Sequence, residues 1–146
     1  MRARTYGLLL SVLAGLFLAR VAGQALVAFL DVAFLPAMDA WYSGLLAYPL
    51  LLPAQVAILL VQGKIALDLV RGDGVFLQPG RRAGRVLRAF GVLYLAAMLA
   101  RYVLTMAWYP ERRWLGAGTI PTAFHVVLAL YVLTLARFYL RREPPG

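Results

Sequence analysis

Residues 87–108, LRAFGVLYLAAMLARYVLTMAW, and residues 120–140, IPTAFHVVLALYVLTLARFYL, lie either side of the short polar tip 109–119, YPERRWLGAGT. Each run holds about the 20 mainly apolar residues that one crossing of a bilayer takes. Each also carries one costly side chain, Arg101 in the first run and His125 in the second. Counted from the tip at about 1.5 Å per helical residue, both sit roughly 10–14 Å below the same membrane surface. Hydrocarbon offers no water at that depth, so an ionisable group there is a functional suspect by default.

Outward from this pair the same pattern recurs. Of the 146 residues 63% are apolar and only 14% charged, with a mean hydropathy of +0.78. A soluble domain carries about 25% charged residues. The excess apolar sequence is gathered into four spans, at about 6–30, 44–63 with an amphipathic extension to 71, 86–108 and 120–139. The reading is an all-α integral membrane protein: residues 1–146 form one domain, a four-transmembrane-helix up-down bundle. Short connections then make consecutive helices antiparallel neighbours.

The N-terminus imitates a secretory signal, with a basic start, an apolar run from Tyr6 to Ala19 and small residues up to Ala25. Arg20 interrupts that layout and LVAFL follows at once, so the stretch reads as a first span that is retained. In the second span Pro49 and Pro53 each remove a backbone donor and are expected to kink its outer half. The segment 71–85, RGDGVFLQPGRRAGR, reads as the one long loop, with turn signals at Gly72-Asp73-Gly74 and Pro79-Gly80.

Orientation follows from the basic residues. Arg2, Arg4, Lys64, Arg71, Arg81, Arg82, Arg85, Arg88, Arg137, Arg141 and Arg142 fall on one side of a four-span chain, and only Arg112 and Arg113 on the other. That bias places both termini and the middle loop in the cytoplasm. Localisation is therefore expected in a bacterial inner (cytoplasmic) membrane as a multi-pass protein, since the richness in Ala, Leu, Arg and Gly fits a GC-rich bacterial genome. The net charge of +9 is explained by span ends meeting anionic head groups. No interleaved aromatic and basic stripe points to nucleic acid.

Depth then sorts the polar residues into a layer. Arg20 and Gln24, four apart on one helix face, belong to the first span, Gln55 to the second, Arg101 to the third and His125 to the fourth. The acids avoid this layer: Asp31, Asp39 and Glu111 fall at or beyond one surface, and Asp68, Asp73 and Glu143 on the other side. Arginine cannot shed its proton, so oxygen from some other source must meet Arg20 and Arg101. An acidic or carbonyl-bearing guest, such as a lipid phosphate or a quinone, would do so. Arg20 and Arg101 would polarise its oxygens, His125, Gln24 and Gln55 would orient it, and Tyr94 and Met98 would add apolar wall.

Other chemistries are less well served. There is no cysteine, which removes disulfides and thiolate-bound metals. A single histidine is short of the three or four ligands of a zinc site and offers one axial ligand to a haem. No Gly-rich phosphate loop is present, and no cofactor is indicated. Expected partners are membrane lipid and either a homo-oligomer or a larger membrane complex. The leading expectation is a non-enzymatic binder in the outer half of the membrane, acting alone or as an accessory subunit of a larger membrane complex. Three alternatives stand beside it: a purely structural or assembly subunit in which Arg101 pairs with Asp31, a small enzyme using His125 as acid or base, and an oligomeric transporter.

Overall fold

The computed structural model describes residues 2–41, 46–112 and 119–141. The expected start of the second span at Gly44, and Arg113, Arg142 and Glu143, lie outside them. The described residues are helical with no strand. In chain order they form α1 (Ala3–Leu30), the one-turn α2 (Met38–Trp41), α3 (Tyr48–Arg71), a 3-10 turn at Val75–Leu77, α4 (Arg81–Trp108), a second 3-10 turn at Pro110–Arg112, and α5 (Thr119–Arg141). The four long helices are each long and apolar enough to cross a membrane. At about 1.5 Å per residue they measure roughly 35–42 Å, against a hydrocarbon core of about 30 Å.

Their ends depart from the sequence reading in two places. α4 begins at Arg81, so Arg81, Arg82 and Arg85 belong to a helix rather than to the loop. Periodic apolarity starts only near Val86, and polar first turns are invisible to it. In α3, Pro49 falls in the first turn, where a missing N–H costs nothing. Pro53 lies inside the helix and leaves the Pro49 carbonyl without its usual donor.

α3 packs on α1, α1 on α5 and α5 on α4, while the α4 backbone approaches no other long helix. The expectation that consecutive spans are neighbours thus describes α1 with α3 and α4 with α5. It does not describe α3 with α4, which do not approach each other. The loop between them, residues 72–80, lets α4 bypass α1 and α3 and settle on the far side of α5.

The core gathers Tyr6 and Leu10 of α1, Ile65, Ala66 and Leu69 of α3, and Tyr131, Leu135, Phe138 and Tyr139 of α5. The Tyr6 and Phe138 rings are 5.5 Å apart at a tilt. Gly7 lets α1 touch α3 directly, because a Cβ there would stand 2.6 Å from the Val70 backbone nitrogen. Polar groups at this end are mostly answered. The Tyr139 hydroxyl donates to the Phe76 carbonyl at 2.8 Å, and the Tyr131 hydroxyl to that of Gln62 at 2.7 Å. Asp68, buried, is paired with Lys64 and accepts from the Phe76 N–H at 3.3 Å, which ties the loop to the end of α3.

Candidate functional site

At the other end a cavity of about 230 Å³ lies between α1, α3 and α5, the three helices that share the core. Its walls include Phe17, Leu51, Ile58, Phe124 and Leu128, and its polar groups are Arg20, Gln55 and His125. Three of the expected site residues, one from each of three spans, therefore face the same space.

Arg20 is only 8% exposed. Its Nη2 donates to the Trp41 carbonyl at 3.0 Å, and its buried Nε–H has no partner among the described residues. α2 exists locally to present that carbonyl. Trp41 is anchored by its own Nε1–H on the Pro36 carbonyl at 2.9 Å and by its ring against Gly23, where a Cβ would fall 2.6 Å from the indole. Its position beside Arg20 had no signal beyond the small residue at Gly23.

Gln55 donates from Nε2 to Gln24 Oε1 at 3.4 Å, tying α3 to α1. Both residues are buried, and Gln24 Nε2 and Gln55 Oε1 are left without partners among the described residues. Exchanging the amide ends does not help, because one bond between two amides always strands a donor on one and an acceptor on the other. The Tyr48 hydroxyl, within electrostatic range of Arg20, is likewise buried and unpartnered. An unanswered buried polar group costs about 1–3 kcal/mol. Two of these four, Arg20 Nε and Gln55 Oε1, belong to residues that line the cavity, and a guest carrying both an acceptor and a donor would answer them.

His125 lines the cavity from α5 and shares a hydrogen bond through Nδ1 with the Tyr94 hydroxyl of α4. The rings meet edge to face, with centroids 5.8 Å apart. Nε2 is then the ring nitrogen left for anything that enters. Tyr94 acts as a support behind the histidine rather than as wall, and Met98, half-buried on α4, does not line the cavity.

Arg101 is also outside it. The residue is exposed on α4, its guanidinium has no partner among the described residues, and its carbonyl accepts from Thr105 Oγ1 at 2.8 Å. Lys64 with Asp68 is the only ion pair among the described residues, so Arg101 and Asp31 are not joined. His125 nevertheless lies within electrostatic range of both Arg20 and Arg101, one cation on the cavity side and one beyond. Among the described residues no three His, Asp or Glu side chains gather as a metal site would require.

Compared with family models, curated proteins and solved structures, the chain matches none. The reading of its function rests on the cavity.

Proposed function

We propose that this chain crosses a bacterial inner membrane four times, up and down with both termini in the cytoplasm, and binds the oxygen-bearing head of an amphiphile in the cavity at Arg20. Several contacts support the alternating course. Gly7 meets Val70 while Gln24 meets Gln55, and Gly84 meets Tyr139 while Tyr94 meets His125. The observation that carries the binding reading is an arginine more than nine-tenths buried, with one carbonyl for company and an unpartnered Nε–H, beside a cavity with apolar walls.

Size narrows the guest. Whole small-molecule pockets run from about 300 to 1,000 Å³, so about 230 Å³ takes a ring or a head group while the remainder of the molecule lies in the bilayer. A lipid phosphate or a quinone-type carbonyl meets the requirement: acceptor oxygens for Arg20 and His125, and a hydroxyl or water to satisfy Gln55 Oε1. The role is binding rather than turnover, carried out alone or as an accessory subunit of a larger complex.

Native mass spectrometry of the protein released from lipid nanodiscs tests this. The wild type is expected to retain one amphiphile per chain that Arg20→Leu loses while staying folded. An empty wild type, or equal retention by the variant, would remove the proposal and leave the polar groups a purely structural role.

A further inference from the structure

α4 has two seams. One carries Gly84 and Gly91, which fit against Tyr139 and Leu133 of α5. The second runs beside it through Phe90, Tyr94, Ala97, Arg101, Leu104 and Trp108. These residues are spaced four, three, four, three, four, the repeat by which one helix packs along another. Phe90 and Tyr94 stack with centroids 5.8 Å apart, and Tyr94 reaches back to His125, so the upper part of this seam is already held in shape. From Ala97 onward nothing among the described residues covers it: Ala97 and Arg101 are exposed, Leu104 is 47% and Trp108 72% exposed.

Arg101 sits in this seam seven residues before the end of α4, about 10 Å along the axis. Charged side chains in membrane spans face protein or water rather than acyl chains, and a single polar residue in an apolar seam fixes partner and register. Charge complementarity then decides the occupant. α4 itself contains no Asp or Glu, and the chain's six acids all lie outside the apolar stretches of the long helices, Asp68 being three residues from the end of α3. A second copy packed seam to seam would bring another α4 without an acid.

The geometry points to a transmembrane helix of a different protein that carries an aspartate or glutamate at the level of Arg101 and packs along the seam from Ala97 to Trp108. This rests on the subunit half of the function proposed above and is independent of the guest at Arg20. The interface sets a carboxylate against Arg101 and places partner side chains beside the Tyr94–His125 pair, so that partner and cavity adjoin across one hydrogen bond.

The chain has no cysteine, which makes a single labelling position straightforward. A fluorophore on Gln78→Cys, in the exposed loop, reports energy transfer from the full-length protein to synthetic Leu/Ala transmembrane peptides in phosphatidylcholine vesicles. The peptides carry Glu, Leu or Lys seven residues from one end. The Glu peptide is expected to associate at least tenfold more tightly than the other two. Arg101→Leu should erase that preference, Arg101→Glu should transfer it to the Lys peptide, and Arg20→Leu should leave it intact. That last arm separates failure of the seam from failure of the cavity reading. Equal association of the Glu and Leu peptides would overturn the inference, as would a preference that survives Arg101→Leu. So would efficient cross-linking of Ala97→Cys to a second copy, which would make the occupant another molecule of this chain.

Discussion

The end of the structure holding Tyr6 and Tyr139 and the end holding Arg20 and His125 use the same three helices to different effect. At the first, helices close to backbone contact at Gly7, aromatic hydroxyls find carbonyls, and Asp68 has both a cation and an N–H. Tyr6 and Gln62 are the exceptions, the hydroxyl of one and the side-chain oxygen of the other buried without partners among the described residues. At the second, a tryptophan is spent on supporting an arginine, two amides satisfy each other only halfway, and a cavity remains. Lipid is as apolar as leucine, so burying apolar surface does little to drive helices together in a membrane. Packing therefore has to do that work at one end, which leaves the other free to keep polar groups unanswered.

Substitutions should separate the two ends by size of effect. Leu69→Ala, at a residue with no exposure, is expected to cost about 2–4 kcal/mol through the cavity it leaves, measured by reversible unfolding in mixed micelles. Gly7→Ala should cost about 1–3 kcal/mol by forcing α1 off α3. On the same helix Gly15, where a Cβ would meet nothing within 4 Å, should accept alanine within about 0.5 kcal/mol. Equal effects of the two glycine changes would undo the claim that α1 meets the α3 backbone directly at Gly7.

Tyr131→Phe removes a bond to the Gln62 carbonyl and should cost about 0.6 kcal/mol, the average for such bonds in membranes. The smallest effect belongs to the cavity end. Gln24→Leu with Gln55→Leu removes both amides and their stranded atoms together, and the unliganded protein should change by less than about 0.5 kcal/mol. The same double change should abolish retention of the amphiphile. A large loss of stability without any effect on retention would assign the amides to structure.

Part of this contrast is legible in the sequence. Span number and the level of Arg20, Gln55 and His125 follow from apolar length and residue counting, because depth in a bilayer is nearly proportional to position along a helix. Sequence carries no such ruler around the helix axis once apolar residues cover every face. Hence depth alone groups Arg101 with Arg20, while the structure exposes it on α4, and depth places Tyr94 at the pocket without showing its bond to His125. Neighbour order was equally hidden: nothing in the loop 72–80 announces that α4 will pack on α5 alone. Trp41 falls between the first two spans, where periodicity is silent, and its carbonyl meets Arg20 in a fold held by its indole on Pro36 and Gly23.

Density for the protein in a lipid nanodisc, read in the space bounded by Phe17, Gln55 and His125, tests the central claim most directly. The account predicts a head-sized feature within hydrogen-bonding distance of Arg20 Nε and the Gln55 side chain, continued by a tail towards the bilayer. A closed cavity, with Arg20 fully met by protein carbonyls, would contradict it.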